Sequence, residues 1–320
     1  MAALKELKER IASVQSTLKI TSAMKMVASA KLMRIQSSME ALAQYEHHLS
    51  DIVAALVSDP DIDVASPLTM EHDARRHACV VAFASDSSLC GAFNNNVIRE
   101  TLSTVEDLLS EGFPLVTVYP VGEKMVQGLS RYVAGRSAEK PAGEVLEASK
   151  AAGTGKEDVS GAGQVELCLD YRALAGRYSF DGIVPLADVL MSGFLAGHID
   201  KVYVVHSHFY SMGRQQPVRE QLLPFNRVSR ANSDRSAAVD YILEPDPATL
   251  LEVLLPSSIR IILYNALLDS ITSENASRMV AMQTATDNAQ ELSDDLTLEY
   301  NKTRQQAITA ELADITSSEG

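Results

Sequence analysis

Residues 4–56 read LKELKERIASVQSTLKITSAMKMVASAKLMRIQSSMEALAQYEHHLSDIVAAL, and their spacing decides the architecture. Alternating steps of three and four visit Leu4, Leu7, Ile11, Val14, Leu18, Thr21, Lys25, Ala28, Leu32, Ile35, Met39, Leu42, Glu46, Leu49, Val53 and Leu56. Thirteen of these sixteen positions are apolar, the exceptions being Thr21, Lys25 and Glu46. A seam kept in one register over seven heptads marks a coiled coil. No Pro or Gly interrupts residues 1–59, which predicts one helix about 80 Å long at about 1.5 Å per residue. A second apolar stripe, Ile20, Met24 and Val27, lies off the seam. A two-stranded coil has no use for it, so either a third element packs there or the helix passes through a sleeve.

Asp59-Pro60-Asp61 ends this helix, because the residue before Pro is pushed out of the α region. Beyond it the period changes. His77–Ala84 and Pro114–Val121 read as buried strands, each followed by a helix, Asn96–Ser110 and Glu123–Val133. Ile183–Ala196 is a further helical run that feeds a strand at Lys201–His208, and Gln215–Leu223, which carries Pro217, reads as an edge or returning strand. Alternating strands and helices predict a largely parallel sheet, a Rossmann-like α/β domain over residues 72–255. Residues 135–164, rich in Gly, Ala, Ser and charge, read as a loop or insertion within it.

A second long helix is expected after Pro256, over 256–320. Ala276, Ala281, Ala285 and Ala289 keep its middle slender, and Leu292, Leu296, Ile308, Leu312 and Ile315 restore an apolar stripe at its distal end. Two such helices at opposite ends of one chain are expected to pair antiparallel, with the 1–59 and 256–320 segments forming a coiled coil and the α/β domain at one end. The free tip then joins residues near 1–30 to residues near 285–316.

The net charge of −14 repels nucleic acid. Residues 1–34 carry seven Lys or Arg against two Glu, a balance of +5, which leaves −19 on the remainder. A basic helix on an acidic protein suggests an acidic protein partner there, or else a solvated face. No run of eighteen apolar residues appears, so no direct membrane insertion is expected. The start of the chain has neither the apolar core of a signal peptide nor the acid-poor composition of a transit peptide, which suggests a bacterial, cytoplasmic protein.

Catalytic motifs are missing from the sequence. Gly153-Thr154-Gly155-Lys156 fails as a phosphate loop, since Lys150 stands where the first Gly belongs and Glu157 where Ser or Thr belongs. Ser85–Gly91 sits between a strand and a helix, where open sheets bind ligands, but lacks a dinucleotide fingerprint. Cys79, Cys90 and Cys168 are too few and scattered for a zinc site or a disulfide framework and read as small buried hydrophobes. His206 and His208 read as structural histidines, and His47-His48 as solvated. No base, nucleophile and orienter assemble, so a non-catalytic chain without cofactor or metal is expected.

Three segments carry a resemblance. Ile11–Ala28 (IASVQSTLKITSAMKMVA), Glu274–Ala289 (ENASRMVAMQTATDNA) and Tyr300–Thr309 (YNKTRQQAIT) are similar to the γ subunits of F-type ATP synthases, and SDSSLCGAFN, QLLPF and EPDP resemble that family's middle domain. The resemblance spans essentially the whole chain. It implies a central rotor shaft of a proton- or sodium-translocating synthase, at the cytoplasmic face of the bacterial inner membrane. The terminal helices would wind inside a ring of three α and three catalytic β subunits, with the middle domain touching the ε subunit and the membrane c-ring. Coupling contacts to the catalytic ring would come from Met24, Lys25, Arg278, Arg304, Gln305, Thr309 and Glu311, with Tyr241 and Glu244 facing the c-ring or ε. For Arg278 an ion pair with Glu274, one turn earlier, is the plainer alternative.

Departures from the family stand beside this. Lys25 replaces a familiar acidic residue, the usual D-R/K-G-L-C-G is SDSSLCG, and residues 135–164 carry no cysteine of a redox insert. The competing reading is a free-standing coiled-coil adaptor with an α/β ligand-binding head, which explains the heptads but not the second stripe.

Overall fold

The computed structural model describes residues 2–58, 66–72, 74–137, 163–176, 178–225 and 246–318. Its helices are α1 (Ala2–Ser58), α2 (Phe93–Ser110), α3 (Glu123–Ser137), α4 (Phe180–Leu195) and α5 (Pro247–Ser318). The strands are β1 (His77–Phe83), β2 (Leu115–Val121), β3 (Gln164–Leu167), β4 (Lys201–Ser211) and β5 (Arg214–Leu223). The chain forms two compact units. One contains Met1–Arg34, Leu89–Gly91 and Asn275–Gly320, and the other Ile35–Ser88 and Ala92–Glu274.

In the larger unit the sheet order is β3-β2-β1-β4-β5. The first four strands are parallel and β5 returns antiparallel to β4, with Pro217 opposite Ser207 on the edge strand. Strands β1 and β2 are apolar runs without polar alternation because helices cover both faces. Leu186, Leu190 and Phe194 of α4 pack with Val81 and Val204 in a core that also takes Ile35 and Val53 of α1 and Leu255, Ile259, Leu263 and Leu267 of α5. Each such side chain contributes about 1.5–3 kcal/mol on burial.

Two boundaries differ from the sequence reading. Helix α5 begins at Pro247, before the expected start, and Pro256 lies inside it. Asp246 caps the first turn, its carboxylate accepting from Thr249 N at 3.0 Å, and Pro at the first helical position costs no hydrogen bond. Leu251 and Leu255 are buried, and that packing carries the helix through Pro256. Strand β3 went unforeseen because its Gln-Val-Glu-Leu is a short sheet edge with only two apolar residues. Of 135–164, residues 138–162 lie outside the described residues.

In the smaller unit α1 and α5 run antiparallel. Thr21 Oγ1 lies 2.8 Å from Thr286 Oγ1, and Lys25 Nζ donates to Gln283 Oε1 at 2.8 Å. The same sense holds in the larger unit, where Asn265 Nδ2 donates to Glu46 Oε2 at 2.6 Å. Thus each of the three polar interruptions of the α1 seam meets a polar partner on α5. Every seam position whose side chain is described, from Leu4 to Val53, is buried or half-buried.

The opposing seam on α5 is built from Met282, Thr286, Ala289, Ser293 and Leu296, with Ala289 8% and Ser293 6% exposed. Of the expected distal stripe, Leu296 enters the seam, Leu292, Ile308 and Leu312 are exposed, and the Ile315 side chain lies outside the described residues. Small residues hold the seam in their place. Helix α5 also contains an 18-residue stretch apolar enough by composition to cross a membrane, half of it buried inside the protein.

Candidate functional site: the helical surface and the sheet crevice

A doubly wound sheet offers a ligand crevice where its strand order reverses, here at the carboxyl ends of β1 and β4. In this chain α5 occupies that place. Ser270 Oγ donates to Phe83 O at 3.3 Å, at the end of β1, and Ser273 Oγ donates to Ser207 O at 2.8 Å on β4. The loop after β1 is also engaged within the protein. Asn94 Oδ1 accepts from Ser85 N at 3.1 Å, Ser85 Oγ donates to Ser87 O at 2.6 Å, and Asp86 Oδ1 caps α3 by accepting from Glu123 N at 3.1 Å. Gly122 closes the site from the β2 side; a Cβ there would stand 2.2 Å from Ala84 O.

Burial pushes the Cys79 thiol up to about 12, and burial also raises Cys168. Cys90 is buried, and its carbonyl accepts from Ser277 Oγ at 2.8 Å.

The helical unit presents a different kind of surface. Ile20 and Val27 of the second stripe are exposed, at 60% and 58%, as are Met26 and Met33, while Met24 is half-buried. Across the coil a groove of about 560 Å³ runs between Met26, Ala30 and Met33 on α1 and Met279, Val280 and Thr284 on α5, with Lys25 and Gln283 in its wall. Gln283 joins two groups, accepting from Lys25 Nζ and donating its Nε2 to Asp287 Oδ1 at 2.7 Å. The sequence reading overlooked Gln283 and the groove; the off-seam methionines 26 and 33 were the available signal.

The residues expected at coupling contacts fall as follows. Lys25 and Arg278 are half-buried, and Arg304, Gln305 and Thr309 are exposed along one stretch of α5, where Thr309 Oγ1 donates to Gln305 O at 2.9 Å. Glu311 lies on α5, with its side chain outside the described residues. Tyr241 and Glu244 also lie outside the described residues.

Comparison with known proteins fits this arrangement. The family model described as ATP synthase matches residues 3–319. The ATP synthase gamma chain of Bacteroides fragilis is 43% identical, with 98% of each chain covered, and that of Phocaeicola vulgatus is 41% identical at the same coverage. The chain belongs to the ATP synthase gamma-chain family. As a gamma chain it is the central rotor shaft of ATP synthase and a non-catalytic subunit, which sets aside the free-standing adaptor. The fold agrees with the rotor of the Euglena gracilis mitochondrial ATP synthase (TM-score 0.53, 16% identity, 96% of this chain and 99% of that one). It also agrees with the central stalk and c-ring structure from Tetrahymena thermophila (TM-score 0.52, 23% identity, 83% and 99%). In this gamma chain the switch-point crevice of the sheet is occupied by the chain's own helix α5.

Proposed function

We propose that this gamma chain couples rotation of a membrane c-ring to ATP synthesis or hydrolysis by pressing unlike faces of its helical unit on three catalytic β subunits, set among three α subunits. The ε subunit and the c-ring engage the α/β domain, the complex sits at the cytoplasmic face of the bacterial inner membrane, and the same contacts regulate ATPase activity. The observation that carries this reading is the exposed apolar surface of the helical unit, Ile20, Val27 and Met33 on α1 and Leu292, Ile308 and Leu312 on α5. Large apolar side chains left exposed along the helices gain by being buried against neighbouring subunits.

The mechanism needs no chemistry on this chain. A single coil cannot present the same face to three identical neighbours, so each neighbour is held in a different conformation. Turning the coil therefore changes nucleotide affinity at each site in sequence. Linkage makes the effect reciprocal, so hydrolysis drives the coil backwards. Met24, Lys25, Arg278, Arg304, Gln305, Thr309 and Glu311 are assigned to contacts with the catalytic ring, and Tyr241 and Glu244 to the c-ring or ε. Lys25 has three N–H donors, one of them engaged by Gln283; the others suit the carboxylates of an acidic lever loop.

Co-expression with the ring subunits tests the assignment. Arg278→Ala and Arg304→Ala are expected to assemble yet show weak coupling between ATPase turnover and ion pumping. Wild-type ATPase rates and pumping in both variants would remove these two residues from the coupling set.

A further inference from the structure

Two histidines of β4 and one carboxylate of α5 come together in the larger unit, apart from any surface assigned above. His206 and His208 are two residues apart and so project from the same face of the strand. Asp269 reaches them from the helix. Its Oδ2 lies 2.5 Å from His208 Nδ1 and 3.5 Å from His206 Nε2, and the three atoms all fall within 4.8 Å of one another. We propose that His206, His208 and Asp269 form a site for a divalent transition metal, Zn²⁺ foremost, which fastens α5 to β4.

The chemistry and placement of the three side chains support the site. Two imidazoles and one carboxylate make a donor set suited to Zn²⁺, Co²⁺ or Fe²⁺ and poorly matched to Ca²⁺ or Mg²⁺. A tetrahedral ion with bonds of about 2.0–2.2 Å holds its donors about 3.4 Å apart; the His206–Asp269 separation of 3.5 Å matches this, and the His208–Asp269 contact of 2.5 Å opens by about 0.9 Å to admit the ion. The carboxylate is already oriented, because its other oxygen accepts from Phe209 N at 2.9 Å, the kind of outer hydrogen bond that metal ligands carry. The buried Nδ1 of His206 has no hydrogen-bond partner among the described residues, and its Nε2 faces the Asp269 carboxylate, where a metal ion would take the place of the proton between them. Access comes from the His208 side: its side chain is 45% exposed, while those of His206 and Asp269 are only 5% and 8% exposed.

The full-length chain, stripped with chelator, is titrated with Co²⁺ and followed by visible absorption, then challenged with Zn²⁺. One equivalent should bind with the intense absorption of tetrahedral cobalt, and Zn²⁺ should displace it. His208→Ala removes a half-exposed ligand and should retain the fold by circular dichroism while weakening binding at least tenfold. Asp269→Asn should weaken it as well, and Zn²⁺ should raise the melting temperature of the parent chain but not of His208→Ala. Absence of tetrahedral absorption at millimolar Co²⁺ would overturn the proposal, leaving a hydrogen-bonded His-Asp-His cluster. Unchanged affinity in a folded His208→Ala would overturn it too, by placing the metal elsewhere.

Discussion

Single residues in the sheet unit are decided by the company they keep. Gly122 has φ +95° and no room for a Cβ beside Ala84 O. Gly122→Ala is therefore expected to lower stability by about 3 kcal/mol through backbone strain, read from chemical denaturation. His77 titrates against the fold. Burial lowers its pKa below 6.5, opposed by the hydrogen bond to the His198 carbonyl. The unfolded chain then binds a proton more readily than the folded one below about pH 6.5, so stability declines as pH falls through that value and is greatest above it. A denaturation series between about pH 5 and pH 8 should show this slope in the parent chain and a flatter one in His77→Gln.

The long helices obey a rule their composition alone does not state. The seam of α1 is apolar with three polar interruptions, and the middle of the α5 seam, Thr286, Ala289 and Ser293, is small, so the two complement one another in size as well as in hydrogen bonding. Ala289→Leu should overpack this contact and cost about 1–3 kcal/mol, with a lower melting temperature and the helix content retained at room temperature. An unchanged melting temperature would show that the seam has slack at this level. On α5 the helix start shows the opposite balance: Pro256 looks like a boundary, and the burial of Leu251 and Leu255 overrides it.

For the molecule as a whole, folding and assembly draw on different surfaces. Ile20 and Leu312 are 60% and 57% exposed, so neither supports the fold of the chain by itself. Ile20→Asp and Leu312→Asp should change the chain's own stability by less than about 0.5 kcal/mol. The same substitutions should sharply reduce recovery of intact complex with the ring subunits, or its coupled activity. Full assembly and coupling in the double variant would remove this surface from the interface.

Sequence by itself determined the two helices and the strand-helix alternation, because a 3.5-residue seam and buried apolar runs are local, periodic signals, and two long helices at opposite ends of one chain pointed to their antiparallel pairing. Motif absence likewise pointed away from catalysis. Tertiary structure alone decided which of the off-seam apolar residues stay uncovered, why Thr21, Lys25 and Glu46 are tolerated, and that α5 fills the crevice of the sheet. Those outcomes depend on residues more than 180 positions apart meeting across the fold, and no local period encodes such a meeting.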